Sequence, residues 1–589
     1  MESGFKTSYR THNNGELTDK DNNIEVKLCG WIQSKRDHGG LIFVDLRDRY
    51  GITQVVIDPK NRNFKDAEHL RREDYLQIKG MVRLRPKEMF NLKLITGKIE
   101  VLVSELNIVT KADIIPIEIE DRVEASEEVR LKYRYLDLRR PIMQKRLMLR
   151  HKIITTAREF FNKNNFIEIT TPLLVKSTPE GARDYVVPSR VHAGKFYALP
   201  QSPQLYKQLL MISGFDRYYQ IAVCLRDEDL RMDRQPEHTQ FDLEMSCVKS
   251  EDIRDFVENL YKYIFKEVLR IELNKFQIIT YKEAMENYGS DKPDLRFDLK
   301  ITDATDIVKN CEFNVFKEVV KNGGSVRCIN PEKEFSRNEI DAYINFSQEL
   351  GAKGMVWMKL ENGNLESNIA KYFSKEQIKQ LIEKTKIKKG YLFFIADKTK
   401  KTFEILGKLR LKLRDDLKLV EPETFKFCWV KDFPLFAWNE DENRWEPEHH
   451  MFTNPKEEYI TDFEKRPGEV IGDLWDLVLN GIELGSGSIR VTKPELQRRI
   501  MKFIGLDEHE ANKRFGFLLE AYKYGAPIHG GMGLGIDRLT ALMAGINDIR
   551  EVIAFPKNKA AQCPMDECPS DITEKQLKEL HIKTEIVKK

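Results

Sequence analysis

The sequence predicts a multidomain α+β protein, and three observations lead there. The chain has 589 residues, which at about 150 residues per domain gives a prior of about four domains. Residues 24–109 read as a run of short strands, and a long amphipathic helix follows some thirty residues later. Residues 297–422 are lysine-rich and alternate helical runs with short apolar strands. With 41% hydrophobic and 32% charged residues, the composition is that of an ordinary soluble globular chain.

In chain order, strands are expected at 24–32, 41–46, 52–57, 75–84 and 99–109. His38-Gly39-Gly40 and Tyr50-Gly51 are turn signals between them, and 64–72 reads as a short helix. Five strands with a helix between the third and fourth suggest a small OB barrel, a fold that often holds oligonucleotides on one face. Strand count alone fits any small β-barrel equally well. Residues 111–143 read as a connector containing Pro116 and Arg139-Arg140-Pro141. A helix is expected over 144–163, with Leu147, Ile154, Ala157 and Phe161 near one face. A strand follows in Ile167-Glu168-Ile169-Thr170-Thr171-Pro172. In the inserted segment, 374–386 is helical and 391–396 is a strand. There is no internal repeat.

Composition excludes several classes. No run of about 18 apolar residues is present, so no membrane span is expected. The N-terminus, MESGFKTSYR, has no apolar signal core. Eight cysteines without pairing rhythm fit a reducing cytoplasm. Cys563 and Cys568 are close, but no second pair or histidine cluster completes a zinc site, so free thiols are expected. The net charge is only +3 despite 97 Lys and Arg, which neither demands nor forbids a nucleic-acid partner.

Three clusters carry chemistry. The first runs from Leu225-Arg226-Asp227-Glu228-Asp229 through Gln235 to Phe241-Asp242. The second is Asp476 and Glu483, followed by Gly485-Ser486-Gly487-Ser488-Ile489-Arg490. The third is Gly531-Met532-Gly533-Leu534-Gly535-Ile536-Asp537-Arg538. Singly each is weak: an Arg/Glu-rich loop is usually solvated, and a glycine-rich stretch before a helix is often only tight packing. No Walker A sequence is present, and the 531–535 spacing does not match a dinucleotide fingerprint.

Jointly, these clusters resemble motifs 2 and 3 of the class II aminoacyl-tRNA synthetases, and 144–172 resembles motif 1. Ser177-Thr178-Pro179-Glu180-Gly181-Ala182-Arg183-Asp184, Gln201-Ser202-Pro203-Gln204-Leu205-Tyr206-Lys207, His449-His450 and Arg550-Glu551-Val552-Ile553-Ala554-Phe555-Pro556 narrow the resemblance to the bacterial-type aspartyl enzymes. Gly30-Trp31 to Asp48 resembles that family's anticodon barrel, and Gly351-Ala352-Lys353-Gly354 its extra domain. The resemblance implies an OB-fold anticodon domain at 1–110, a connector at 111–143, and an antiparallel-sheet catalytic domain at 144–296 and 423–589. The insert at 297–422 is the α+β domain of the bacterial branch.

The implied activity is ATP-dependent activation of L-aspartate, then transfer to tRNA-Asp, with Mg²⁺ as cofactor and a homodimer as the assembly. No protein nucleophile is needed; positioning and charge neutralisation carry the rate. Arg226 matches the arginine gripping the α-phosphate and the attacking carboxylate, a task suited to a guanidinium fork. Glu228 and Arg538 complete the implied catalytic set, with Arg538 over the adenine. Asp227, Gln235, His238, Glu483, Gly535, Ile536 and Asp537 are the further ATP positions, and Asp476 and Glu483 the magnesium carboxylates. Lys207 and Arg490 match the cations that hold the aspartate side chain, with His449 as third contact. Glu180, Gln204 and Asp242 receive the ammonium or its surroundings. In the barrel, Arg36, Phe43 and Gln54 match anticodon readers, although a core aromatic is an equally ordinary reading of Phe43.

The chain departs from the family pattern at His238 (usually Phe), Ser486 (often Gly) and Trp475 (often Tyr). Protonation of His238 opposite Arg538 is expected to make ATP binding acid-sensitive. His38 goes with relatives that charge both tRNA-Asp and tRNA-Asn, whereas Glu88 stands where those relatives usually have glycine. The competing readings are a class II ligase that adenylates an amino acid without charging tRNA, and a non-catalytic paralogue.

Overall fold

A computed structural model describes residues 6–178 and 183–585. The chain divides into two compact units, Met1–Met148 with Ile553–Ser570, and Leu149–Val552 with Asp571–Lys589. Among the described residues no helix is long and apolar enough to cross a membrane.

The first unit is built on a closed barrel. Its strands β1 (Glu25–His38), β2 (Leu41–Arg47), β3 (Ile52–Ile57), β4 (Tyr75–Leu84) and β5 (Ile99–Thr110) close in the order β1-β2-β3-β5-β4. Alternation decides the faces: Ile42, Val44 and Leu46 fill the core, and Phe43 and Asp45 point outward. β1 runs six residues past its expected end at Ile32. The apolar pattern stops there, but pairing with β2 continues the strand through Arg36↔Phe43 and His38↔Leu41. The joining turn places Gly39 at φ +62° and Gly40 at φ +77°, both central positions of a two-residue hairpin loop that only glycine enters freely.

Beyond the barrel, the buried Asp137 carboxylate accepts from Arg130 (2.9 Å), Arg134 (2.6 Å) and Arg140 (2.6 Å). Burial alone would raise its pKa; the hydrogen bonds from Arg130 and Arg140 outweigh it and hold it below the usual range. Arg134 also donates to the carbonyls of Ile553 and Ala554, each at 2.9 Å. Residues 553–570 therefore pack with the N-terminal unit rather than with the catalytic sheet, where the sequence placed them.

The second unit centres on an eight-stranded sheet. Its order is Gln277–Thr280, Phe427–Lys431, Leu474–Leu479, Ile482–Ile489, His529–Gly535, Glu237–Ser246, Arg217–Leu225 and Ile167–Glu168. All pairs are antiparallel except the two edge pairs. The expected strand at 167–172 is only Ile167–Glu168. The chain leaves the sheet before Pro172, which has no N–H to pair, and Thr171 N–H turns to Gln220 Oε1 at 3.2 Å.

The helix Pro141–Lys163 starts three residues earlier than expected. Proline is suited to a first turn, where its missing N–H would be unpaired anyway. Its core-facing residues are Ile153, Ala157 and Phe161, at four-residue spacing, while Leu147 and Ile154 are half-buried. Phe161 stacks on Tyr219 with centroids 4.3 Å apart, joining helix to sheet. The helix Ser250–Leu269 covers the same core with Val257, Tyr261 and Phe265.

The inserted residues form a separate sheet in the order Ile301–Asp303, Ser325–Ile329, Gly390–Asp397, Val356–Glu361, Asn364–Glu366. Its central strand is apolar throughout because both faces are covered: Phe393 and Ile395 enter one core, Leu392 and Phe394 the other. The helix Lys375–Thr385 is bounded by a Ser374/Gln377 capping box and by Lys386 in the left-handed conformation. At the root of the insert the buried Arg410 donates to the carbonyls of Leu299 (2.6 Å), Asp294 (2.8 Å) and Phe297 (3.0 Å).

Candidate active site

The candidate site is a cavity of about 410 Å³ on the eight-stranded sheet. It draws Gln204 and Lys207 from the helix Gln204–Ile212, and Arg226, Glu228 and Gln235 from the loop between two strands. Asp242, Glu483, Ser486, Arg490 and Gly535 come from the strands and their ends, and Arg538 from the first turn of the helix Ile536–Met543. Leu225 pairs with Glu237 at the base of the 226–236 loop, and Arg226 N–H donates to Pro236 O at 2.9 Å, which keeps Arg226 at the mouth of the hairpin.

Beneath this cavity lies a buried charge cluster. Lys207 Nζ stands 3.0 Å from Asp242 Oδ2 and 3.3 Å from Glu244 Oε2. Arg490 makes a two-pronged contact with Glu244, Nε to Oε1 at 2.9 Å and Nη2 to Oε2 at 3.1 Å. Arg490 Nη1 also donates to Ser488 Oγ (2.5 Å) and to His450 Nε2 (2.8 Å). Burial drives the His450 pKa well down, and Arg490 adds to it, so the ring is neutral. Burial would push Glu244 up, but Arg490 and Lys207 hold it below the usual carboxylate range. Asp242, with less compensation, is pushed up to about 6 by burial against the pull of Lys207. Among the cavity-lining residues two buried atoms have no hydrogen-bond partner among the described residues: the donor Gln204 Nε2 and the acceptor Asp242 Oδ1. Both residues line the cavity, and an unmet donor beside an unmet acceptor points to a polar ligand.

Glycines make this cluster possible. A Cβ on Gly531 would lie 2.1 Å from Glu244 Oε2, and one on Gly485 2.1 Å from Gly533 O. Ser486, where glycine was expected, is accessible at the cavity and faces Asp476 and Gly533 in register.

At the other end of the cavity, Arg538 donates to Glu483 O (2.9 Å) and Asp233 Oδ2 (3.2 Å), and Glu228 accepts from Arg234 at 2.9 Å. His238 lines the same space. Burial first, then the charges of Arg226 and Arg538, drive its pKa down to about 3. The ring is therefore neutral at every working pH, which corrects the expectation that its protonation would make the ATP step acid-sensitive. Glu483 Oε2 is 3.5 Å from Lys292 Nζ, and Asp476 Oδ1 is 3.4 Å from His449 Nε2 with no hydrogen bond of its own.

Several expected positions fall elsewhere. Asp227 turns toward Arg183, 3.7 Å away, and does not line the cavity. Ile536 is fully buried in the core under the sheet. Asp537 does line the cavity, but its carboxylate accepts from Arg150 and, at 2.9 Å, from Thr239 N–H, which ties the strand ends together. His449 sits against Phe433 and Asp476, off the cavity, and its neighbour His450 faces Arg490. Glu180 lies outside the described residues. Sequence reading missed Glu244, His450 and Lys292. The signal for Glu244 was available: it follows Asp242 by two residues in a strand, hence on the same face.

On the barrel, Arg36 Nη2 reaches Asp45 (3.2 Å) and Gln54 Oε1 (3.3 Å). Gln54 Nε2 donates to Glu100 (2.8 Å), which accepts from Arg83 Nε (2.8 Å). Phe43 is half-buried on this outer face, outside the barrel core. His38 and Glu88 are exposed, His38 at the hairpin tip and Glu88 in the short turn Lys87–Met89.

Cationic ends, a polar anion-lined floor and a glycine-lined antiparallel sheet define a nucleotide- and amino-acid-binding catalytic domain joined to an OB barrel. The chain belongs to the family described as tRNA synthetases class II (D, K and N), which matches residues 126–559 and whose members use ATP; an OB-fold nucleic acid binding domain matches residues 26–109. The chain is 50% identical over 583 residues to the aspartate–tRNA(Asp/Asn) ligase of Caldanaerobacter subterraneus subsp. tengcongensis, covering 98% of each chain. It is 48% identical to the aspartate–tRNA ligase of Ruminiclostridium cellulolyticum, covering 97% of this chain and 98% of that one. Among solved structures it resembles the asparaginyl-tRNA synthetase of Pyrococcus horikoshii, with TM-score 0.58, 19% identity, and coverage of 92% and 96%. A putative aspartyl-tRNA synthetase from Leishmania major gives TM-score 0.59 at 17% identity, with coverage of 95% and 96%. At these identities the structural likeness speaks to the fold alone.

Proposed function

We propose that the chain is an aspartate–tRNA ligase that activates L-aspartate with ATP and charges tRNA-Asp and tRNA-Asn. The observation that carries this is the buried Lys207/Arg490 pair under a cavity with unmet groups on Gln204 and Asp242. A side-chain carboxylate is the ligand group that two such cations recognise, and Asp242 Oδ1 supplies an acceptor for the α-ammonium. A ligand carboxylate can accept a charge-assisted hydrogen bond from each cation, whereas the NH₂ of an amide side chain would face a donor.

In this reading an oxygen of the aspartate α-carboxylate attacks the α-phosphorus, and the bond to pyrophosphate breaks. Arg226 holds the attacking carboxylate and the α-phosphate together and neutralises the charge that builds between them. His238 and Arg538 bracket the base, with Glu228 and Gln235 beside it. The terminal ribose hydroxyl of the tRNA then attacks the aspartyl carbonyl, and AMP leaves and carries away the hydroxyl proton. Asp476 and Glu483 suit Mg²⁺: both are hard oxygen donors, and among the described residues the buried Asp476 Oδ1 has no hydrogen bond, with His449 Nε2 3.4 Å away. When bound, that ion would neutralise phosphate charge on the leaving side.

Relaxed tRNA choice is supported by His38 at the exposed hairpin tip and by relatives named as acting on both tRNAs. A homodimer through motif 1 is supported by exposed apolar Ile167, Leu173 and Leu174 around Pro172. The test is ATP–pyrophosphate exchange with aspartate, asparagine and lysine, then charging of purified tRNA-Asp and tRNA-Asn. Aspartate-dependent exchange without transfer would leave a stand-alone ligase, and no exchange a paralogue. His38→Leu should reduce charging of tRNA-Asn while sparing tRNA-Asp; a wild-type protein that charges only tRNA-Asp overturns the relaxed reading.

A further inference from the structure

Residues 563–568 form a turn that contains none of the candidate active-site or anticodon residues above. Cys563 and Cys568 are antiparallel bridge partners, so their side chains leave the backbone on the same side. Cys563 N–H donates to Cys568 O (2.9 Å), and Glu567 N–H donates to Cys563 O (2.9 Å), closing the turn. Asp566 lies within it, its Oδ1 fixed by Cys568 N–H at 3.2 Å. The two sulfurs and one Asp566 oxygen all lie within 4.8 Å of one another, and this is the only such cluster of three ligating groups among the described residues. Both cysteines are free thiols, Cys563 buried and Cys568 half-buried, so the site opens to solvent on one side.

From this convergence we propose that Cys563, Asp566 and Cys568 form a site for a thiophilic divalent cation of the Zn²⁺ class, with water as fourth ligand. The charge balance argues for it. As free thiols the two cysteines carry two S–H protons beside the Asp566 carboxylate, where the three ligand atoms converge. One divalent cation replaces those two protons without change of net charge: M²⁺ binds, both thiols become thiolates, and two protons pass to solvent. Two thiolates and one carboxylate around an open fourth position match what zinc accepts, and sulfur selects zinc over magnesium. The expectation of free thiols rested on the lack of a second Cys or His pair; the third ligand is instead the carboxylate within the turn. The site lies in the unit of the barrel, and Arg134 ties the start of the same segment. It anchors residues 553–570 rather than taking part in aminoacyl transfer.

The experiment uses the full-length reduced protein and Co²⁺ as the probe. The expected result is one equivalent of Co²⁺ with a sulfur-to-cobalt charge-transfer band, displaced by Zn²⁺, with two protons released per metal. The band should vanish in the Cys563→Ser/Cys568→Ser variant. It should persist in Asp566→Asn with binding weaker by about tenfold or more. That single variant keeps both thiols, so it reads the site even if the double variant folds poorly. Absence of the band in the wild type, or a band unchanged in the double variant, overturns the proposal. So does a Cys563–Cys568 disulfide whose reduced form binds no Co²⁺.

Discussion

Replacing Glu244 by Gln tests the charge cluster most directly. Glu244 does not line the cavity, yet it accepts two bonds from Arg490, at 2.9 and 3.1 Å, and lies 3.3 Å from Lys207. Gln keeps the volume and one acceptor oxygen but turns an NH₂ toward a guanidinium. Breaking a buried pair outright costs about 3–5 kcal/mol. Keeping one of the two prongs reduces that to about 2–3 kcal/mol, which at 1.36 kcal/mol per factor of ten is roughly 30- to 150-fold. Lys207 retains its 3.0 Å contact with Asp242, so the loss falls on the placement of Arg490. The expected outcome is a kcat/KM for aspartate in ATP–pyrophosphate exchange reduced by that factor, with the KM for ATP within about twofold. A thermal melt separates this from unfolding. A folded Glu244→Gln protein with kcat/KM for aspartate within threefold of wild type would refute the reasoning.

Three further outcomes follow from the same site. Because the Asp242 pKa is raised to about 6, its ionised form, needed to accept an ammonium, is lost as pH falls through 6; aspartate affinity should drop about tenfold per pH unit below that, and Asp242→Asn should show weak but pH-independent binding by calorimetry. His238, with its pKa near 3, should contribute nothing between pH 5.5 and 8, so His238→Phe and wild type should share one pH profile for ATP; divergent profiles would mean the ring titrates in that range. Lys292→Ala removes the cation 3.5 Å from Glu483 and should tighten Mn²⁺ binding several-fold by electron paramagnetic resonance; weaker binding would show that Lys292 holds the carboxylates in place instead.

Local pattern was enough to read much of this protein from its sequence. The barrel strands follow the alternation that buries Ile42, Val44 and Leu46. The insert helix starts where Ser374 caps it, and the expected apolar strand is the one covered on both faces. The Lys207, Asp242 and Arg490 positions come together in one cluster, as their joint motif resemblance implied. Each of these depends on neighbours a few residues away, which a linear reading sees. Tertiary structure alone decided the remainder. Arg490 meets Glu244 across 246 residues of sequence because three strands pair in register, and no local feature announces that contact. Asp537 was readable as a ligand until Arg150, on a distant helix, was found holding it. His238 was readable as a titrating ring until burial beside Arg226 and Arg538 moved its pKa out of range. Sequence specifies which groups are present and their local backbone preferences. Charge state and hydrogen-bonding capacity depend on which distant groups the fold brings within a few ångströms and how much water it excludes.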